Sequence, residues 1–526
     1  MELVSNVQLA ARVIQHLIAG GVREFCLCAG ARNSPFVHLF EKNPHLKVYH
    51  FFEERSAAFF ALGRIASSRH PVAVITTSGT AAAELLPAAV EGTYSSLPLI
   101  MVTADRPKKY RWTGAPQSIE QVGLFSYYIE VSFDLDEQNS HVSLNGLSWK
   151  KPIHINVCFK EPLLDEEPFL ISPPKQELRN RFPESFPLNM AEEIENFVNR
   201  HRPVVILSTI PEKSKSAVVE FLKNLKIPIY AEGISGLRGH PDLLSTTIFS
   251  GEKMLAKLID EGHCNAIIRI GGVPTVRFWR DLEDKRENLP VLSLGYNHFT
   301  GLSRSVLHFS ELDDLPRLDV QKHDDIPQNI YKFDRDRRLG CEEILKKFPR
   351  SEPSLIYSLS KKLKDQSVYL GNSLPVREWD LAADFDFFPN RVIGNRGANG
   401  IDGQVSTFMG WSKPHVENWC LIGDLTALYD LSGLWVASQL LQRAFRVVVI
   451  NNGGGMIFHK MFGKEIFLNR HNVDFKNWAG LWKWEYQKWL DVPETSDLAQ
   501  LQIIELVPDP AQTTAFWKAW DQLWQT

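Results

Sequence analysis

The sequence predicts an α/β protein built as three domains, each a parallel sheet flanked by helices, and three observations carry that expectation. Short apolar runs alternate with helix-period segments along most of the chain, which is the pattern of βαβ units. The 526 residues exceed what a single core holds and imply several domains. A proline-rich passage and a polar, charged one interrupt the alternation and divide it into three.

In the first domain (1–180), apolar residues Val7, Ala10, Ala11, Ile14, Leu17 and Ile18 recur at helical spacing and predict a helix over Asn6 to Ala19. Strands are expected at Glu24 to Ala29, Val72 to Thr77 and Leu97 to Thr103, with helices from Glu53 and over Ala81 to Glu91. The passage PFLISPPKQELRNRFPESFPL, Pro168 to Leu188, has few periodic apolar positions and reads as a linker. The second domain (190–335) repeats the scheme with VVILST, PIYAEG, NAIIRIGG and LPVLSLG, beginning at Val204, Pro228, Asn265 and Leu289. A stretch rich in Asp, Lys and Arg from Glu311 to about Arg350 marks the next boundary. The third domain (350–526) has strands near Val368 to Leu370, Arg391 to Gly394, Trp419 to Ile422, Arg446 to Ile450 and Gln502 to Val507. No sequence repeat joins the domains, yet the first and third can share a topology without showing it.

Composition narrows the functions available. A formal net charge of -4 argues against general nucleic-acid binding, which needs a basic surface to displace counterions. The cysteines at 26, 28, 158, 264, 341 and 420 have neither CxxC nor zinc-ligand spacing, so the expectation is a reducing, cytoplasmic setting without disulfides. No secretory signal opens the chain, and no apolar stretch is long enough to span a bilayer.

The segment richest in chemistry runs from Trp419 to Phe458. WCLIGDLTALYDL and FRVVVINNGGGMIF read as two apolar strands whose tips carry Gly423-Asp424 and Asn451-Asn452, with Asp424 and Asn452 28 positions apart. That interval fits a helix over Leu428 to Gln442 and a return strand, as a βαβ crossover requires. An aspartate and an asparagine at neighbouring strand ends offer the hard oxygen ligands that Mg2+ prefers, and a helix starting after Asp424 favours an anion there. Together they suggest a metal-diphosphate clamp, although either tip alone also fits an ordinary turn.

Three further patterns stand out. In VYHFFEERSAAFFALG, Glu53 and Glu54 open an otherwise apolar helix; such glutamates complement the helix dipole, but Glu54 shares a face with Ala58, Leu62 and Ile65. A glutamate desolvated in that way has a raised pKa and exchanges protons near neutrality. The turn TTSGTAAAELLPAAVEG places Thr77, Ser78 and Gly79 where a strand meets a helix, allowing close approach of a ligand or simply capping that helix. Arg32 in AGARNSP, Arg106 in TADRP, Arg277 in GGVPTVRF, Arg377 in NSLPVRE and Arg396 in GNRGANGIDG all fall at strand-end loops. Such rims are where α/β folds bind ligands, and the arginine fork grips carboxylates. The tryptophans at 517, 520 and 524 recur with Phe516 at helical spacing and read as a buried helix face.

In their order along the chain, AGARNSP, EERSAAFFALG, VITTSGTAAA, TADRP, GAPQSIEQ, GNSLPVR, GNRGANGIDG, GDLTALYDL and NNGGGMIF resemble the thiamine diphosphate (ThDP) enzymes, and among them the MenD family of menaquinone biosynthesis. The resemblance implies pyrimidine-binding, central and diphosphate-binding domains, with active sites built between two subunits of a homodimer or dimer of dimers. It implies Mg2+, with Mn2+ as an alternative, held by Asp424, Asn452 and the carbonyl of Gly454. Glu54 rather than Glu53 would contact the aminopyrimidine, and Ile401 would support the bent cofactor. Thr77, Ser78, Gly79, Gly423, Leu425 and Thr426 would complete the cofactor site, with Ile457 and Phe458 as its apolar wall. Arg32, Arg106, Gln117, Arg277, Ser373, Arg377 and Arg396 match substrate-site positions, and the substrates implied are 2-oxoglutarate and isochorismate. Ala31 and Pro116 depart from the family's usual serine and asparagine, and Val276 stands where some members carry a lysine. Ala31 and Pro116 keep one alternative in view, a ThDP decarboxylase or carboligase with another acceptor; a second, an inactive ThDP-binding regulator, is weakened by the retention of Glu54 together with the metal motif.

Overall fold

The computed structural model describes residues 4–171, 189–318, 328–386 and 389–525. Of the proline-rich passage, residues 172–188 therefore lie outside the described residues. The chain divides into two compact units, Met1–Glu184 with Gly397–Pro414 and Leu428–Arg443, and Ser185–Arg396 with His415–Ala427 and Ala444–Thr526.

The first unit holds six strands: β1 (Glu24–Cys28), β2 (Lys47–Phe51), β3 (Val72–Thr76), β4 (Leu99–Asp105), β5 (Val131–Leu135) and β6 (Ile153–Cys158). They pair in the order 2-1-3-4-6-5, every pair parallel. β1, β3 and β4 are buried at every position, as apolar runs covered on both faces are. The helix Asn6–Ala19 is found as expected and turns Val7, Leu9, Val13, Ile14 and Leu17 into the core. Glu54–Ser68 is buried on nearly all sides from Ser56 to Ile65, because a second helix, Gln404–Trp411, lies against it. Glycines allow that contact: a Cβ at Gly63 would stand 2.1 Å from the Thr407 carbonyl oxygen, and one at Gly410 2.1 Å from that of Phe60.

The second unit contains two sheets. One comprises β7 (Pro203–Leu207), β8 (Ile229–Ala231), β9 (Ala266–Ile270), β10 (Val291–Leu294) and β11 (Leu307–Phe309), in the order 11-10-9-7-8. The other comprises β12 (Ser367–Leu370), β13 (Arg391–Ile393), β14 (Glu417–Gly423), β15 (Ala444–Ile450), β16 (Glu485–Trp489) and β17 (Leu501–Leu506). Its order, 13-12-14-15-17-16, repeats that of the first sheet strand for strand, so the shared topology is real although no sequence repeat announces it. Three parallel-sheet α/β domains are thus present.

Some elements differ from expectation. The helix expected over Ala81 to Glu91 is two helices, Thr80–Ala83 and Leu86–Ser95, the second with Pro87 in its first turn. That proline cannot donate to the preceding turn and marks a new start. The helix expected over Leu428 to Gln442 is a short α-helix, Asp424–Tyr429, followed by a 3-10 stretch, Leu431–Gln439. Buried Asp430 breaks it by accepting from Ser406 N–H at 2.7 Å and Ser406 Oγ at 2.9 Å. The charged stretch after Glu311 includes a 20-residue helix, Gln328–Lys347, that buries Ile330, Asp334, Arg338, Cys341 and Leu345 on one side. In the last helix, Pro510–Leu523, Phe516 and Trp520 are buried as expected, but Trp517 and Trp524, the latter just past the helix, are only half-buried.

Candidate active site

The carboxyl ends of the first sheet bring six predicted positions together. The chain leaves β1 through Gly30, where a Cβ would stand 2.6 Å from that of Thr77, so the Arg32 loop lies against the turn after β3. Arg32 is nearly buried, donates to the Phe159 carbonyl at 3.2 Å and pairs with Glu161 at 3.1 Å. Gly79 has φ +84 and packs its α-carbon toward Gln117; its N–H donates to Gln121 Oε1 at 2.9 Å. Gln117 has φ 55 and is exposed at the rim. Arg106 Nε donates to the Pro116 carbonyl at 2.8 Å. The hydroxyls of Thr76 and Ser78 are buried without a partner among the described residues, as befits a turn lined for a polar ligand.

Glu53 and Glu54 occupy different environments. Glu53 caps the helix, accepting from the N–H groups of Arg55 at 3.2 Å and Ser56 at 2.9 Å and from Ser432 Oγ at 3.0 Å. Glu54 forms no ion pair with a described residue. Burial, and then the negative charges of Glu53 and Glu84, raise its pKa above the usual carboxylate range. Ala58, Leu62 and Ile65 on its face are all buried. Ile401 follows Gly397 and Ala398, whose N–H groups donate to Glu91 at 2.8 and 2.7 Å.

In the second unit the tips of β14 and β15 meet. Asp424 is 2% exposed and its Oδ2 accepts from the N–H groups of Gly453 and Gly454, both at 2.9 Å. Positive φ angles at the two glycines, 78° and 139°, permit that arrangement. Leu425 N–H donates to Oδ1 at 2.6 Å, and His471 Nε2 stands 3.2 Å from Oδ2. Burial raises the Asp424 pKa against these stabilising contacts. Thr426 is buried and Leu425 half-buried just beyond, and a Cβ at Gly423 would meet open space.

Asn452 turns its amide nitrogen to Glu352 and leaves Oδ1 buried without a partner among the described residues. A buried oxygen acceptor without a donor, beside a buried carboxylate, fits a hard divalent cation. The Gly454 carbonyl accepts from Met456 N–H at 2.8 Å and retains a second lone pair. Among the described residues, no cluster of three or more His, Cys, Asp and Glu side chains is placed to hold a metal, so a cation here depends on the mixed carboxylate, carboxamide and carbonyl set. Ile457 is half-buried and Phe458 exposed.

The remaining predicted residues also lie in this unit. Arg377 donates to the Ser373 carbonyl at 2.6 Å, and Arg396 to Asn372 Oδ1 at 2.5 Å. Asn372 in turn donates to the Asn395 carbonyl at 2.8 Å, tying the loops after β12 and β13 together. Arg277 is exposed at the start of its short helix and pairs with Asp281 at 3.3 Å. The loop before it is pinned by Glu232, which accepts from Thr275 N–H at 2.5 Å and Val276 N–H at 3.0 Å.

Several of these residues were not singled out from sequence. Near Arg396 stand buried Glu232 and half-buried Asp380; desolvation raises both pKa values, that of Asp380 to about 8. Glu352 is pushed up to about 7 by burial, while burial and the charge of Glu352 raise Glu378 well above the ordinary carboxylate value. Gln121, Glu91, Asp430 and His471 act through contacts distant in sequence. An acidic residue within an apolar run, as in Asp430 or Glu378, was the available signal.

Parallel sheets with the carboxyl ends described, a half-buried glutamate opening a helix, and an Asp-Asn-Gly oxygen set at a strand pair define the class, a thiamine pyrophosphate enzyme. Residues 7–124 match the family model for the thiamine pyrophosphate enzyme, N-terminal TPP binding domain. A 2-succinyl-5-enolpyruvyl-6-hydroxy-3-cyclohexene-1-carboxylate synthase of Bdellovibrio bacteriovorus is 59% identical, covering 99% of this chain and 100% of its own. Synthases of the same name from Akkermansia muciniphila and Bacillus pumilus are 37% and 32% identical, covering 94% and 85% of this chain and 95% and 82% of theirs. The chain belongs to this synthase family, whose members are thiamine-dependent transferases.

Proposed function

We propose that the protein is a ThDP- and Mg2+-dependent synthase that decarboxylates 2-oxoglutarate and adds the resulting succinyl unit to the conjugated alkene of isochorismate. The product is 2-succinyl-5-enolpyruvyl-6-hydroxy-3-cyclohexene-1-carboxylate, an intermediate of menaquinone biosynthesis. The observation that carries the reading is the partnerless, buried Asn452 Oδ1, one residue before the Gly453 N–H that buried Asp424 accepts. Asp424, Asn452 and the Gly454 carbonyl would hold Mg2+, or Mn2+ in its place, and with it the diphosphate. When bound, ThDP supplies an electron sink for the pair left by decarboxylation.

The chain's own residues do the rest. Glu54, with its raised pKa, holds and returns a proton at the aminopyrimidine ring. Thr77, Ser78 and Gly79 line the cofactor at the β3 turn, Gly423, Leu425 and Thr426 at the end of β14, and Ile401 supports its bend. Ile457 and Phe458 provide an apolar wall that excludes water. Arg32, Arg106, Arg277, Arg377 and Arg396, with Gln117 and Ser373, bind two dicarboxylates. One charge pair at ~4 Å contributes roughly 4 kcal/mol at an effective dielectric of about 20, before desolvation.

Pro116 lacks the side-chain amide usual in the family, but Arg106 is held by the Pro116 backbone carbonyl, which proline retains. That contact keeps Arg106 in place despite the departure. The working assembly is a homodimer or dimer of dimers, supported by the exposed apolar side chains of Phe458, Met461, Phe462, Ile466 and Phe467. A reducing cytoplasm suits the six buried, free cysteines. No helix among the described residues is long and apolar enough to cross a membrane.

The test is incubation with ThDP, Mg2+ and 2-oxoglutarate, with and without isochorismate, following CO2 release and isochorismate absorbance. The reading expects isochorismate to be consumed in step with CO2. Release of CO2 with isochorismate untouched would overturn it in favour of another acceptor. No reaction in either arm would point to the inactive regulator.

A further inference from the structure

A carboxamide presents a donor at one end and an acceptor at the other, so its use as a metal ligand depends on which end is turned inward. The Asn452 amide nitrogen lies 3.1 and 3.0 Å from the two carboxylate oxygens of Glu352. Because the amide is planar, anchoring its nitrogen on one side turns Oδ1 to the opposite side, where it is buried with no partner among the described residues.

Glu352 is firmly held. It is 3% exposed and opens the helix Glu352–Ser360, whose cap Ser351 accepts from Ser354 N–H. The Glu352 N–H donates to Thr513 Oγ1 at 3.1 Å, and its carboxyl group hydrogen-bonds Glu378, itself 2% exposed on the helix Leu374–Ala382. Three separate elements therefore converge on Glu352, and Glu352 alone of them holds the amide. A merely structural amide would be expected to satisfy both of its ends, whereas this one leaves its acceptor empty.

We infer that Glu352 is a positioning residue for the divalent cation, orienting the Asn452 carboxamide so that Oδ1 faces the metal, with Glu378 holding Glu352 in place. The inference rests on the proposed reading of Asp424, Asn452 and Gly454 as the cation site. Without Glu352 the amide is free to rotate and present its NH2 group to the cation.

The test is a Mn2+ titration of the full-length, metal-free protein at saturating ThDP, reading free Mn2+ by electron paramagnetic resonance, with the melting temperature of each metal-free variant measured alongside. Glu352→Leu removes the acceptor and is expected to weaken Mn2+ binding about 10- to 100-fold, the usual effect of losing a residue that orients a ligand. Glu352→Gln retains an amide oxygen for the Asn452 NH2 group and is expected to restore binding to within about threefold of the wild type. A purely structural role would lower the melting temperature while leaving Mn2+ affinity alone.

Wild-type affinity in Glu352→Leu would overturn the inference, and so would equal weakening in both variants, since that would assign the effect to charge rather than orientation. If Glu352→Leu does not fold, Glu352→Ala is titrated in its place with the same expectation. Failure of the wild-type protein to bind Mn2+ with ThDP would instead overturn the proposed cation site itself.

Discussion

Glu53 and Glu54 are adjacent and chemically identical, and only their surroundings give them different work. Glu53 spends its carboxylate on the first N–H groups of the helix, while Glu54 stands over buried Ala58 and Leu62 with its pKa raised. Helical periodicity places both in the first turn, so the choice between them was legible only through family resemblance. Asp424 and Asn452 were easier to find, because each sits at the polar tip of an apolar strand. Glu352 was not, since its partner lies 100 residues away and nothing local distinguishes it from any glutamate opening a helix. At this scale, Glu54→Gln should lower kcat by about 10^2- to 10^4-fold, the range for loss of a positioned proton-transfer group. ThDP affinity, read by intrinsic fluorescence quenching, should change little because size and shape are conserved. Turnover at the wild-type rate would remove Glu54 from the proton-transfer role.

Elements were legible where one interaction dominates. β1, β3, β4, β14 and β15 are apolar runs buried almost throughout, and their hydrophobicity marked them. β6 is not legible as a strand because His154 and Asn156 interrupt its apolar pattern. In the fold both are buried and satisfied, His154 by Thr103 at 2.8 Å and Asn156 by Gln121 at 2.8 Å. The segment 428–442 misled for the opposite reason: its apolar spacing suits a helix, but Asp430 binds Ser406, and a Cβ at Gly433 would stand 2.9 Å from the Ser406 nitrogen. Tertiary contacts there override local preference. The pairing of Glu54–Ser68 with Gln404–Trp411 is equally invisible in sequence and depends on Gly63. Gly63→Ala would push a methyl group toward the Thr407 carbonyl and the Trp411 nitrogen, both backbone atoms that cannot yield cheaply. Overpacking of this kind costs about 1–3 kcal/mol, so thermal unfolding should begin several degrees lower. An unchanged melting curve would show that the helix pair can spread without cost.

The molecule as a whole repeats one solution. The strand orders 2-1-3-4-6-5 and 13-12-14-15-17-16 are the same order shifted along the chain, and each reverses direction beside its first strand. Open parallel sheets bind ligands outside their carboxyl ends near such reversals, which explains why Arg32 and Thr77 to Gly79 follow β1 and β3, and Ser373 and Asp424 follow β12 and β14. Position at a strand's carboxyl end was readable from the sequence; the strand order that makes those ends neighbours was not, because hydrogen-bonded partners leave no local pattern. The same placement predicts how the protein responds to its cofactors. Groups that bind only the folded chain stabilise it by mass action, about 2.7 kcal/mol at 100 times the Kd. ThDP with Mg2+ should therefore raise the unfolding midpoint by several degrees. Excess EDTA should reverse most of that rise, because Asp424 is buried and, without a cation between them, would face the diphosphate across like charges. ThDP alone should give a clearly smaller shift. Equal stabilisation by ThDP in Mg2+ and in EDTA would mean that the oxygen set of Asp424, Asn452 and Gly454 does not hold the metal through which the diphosphate is bound.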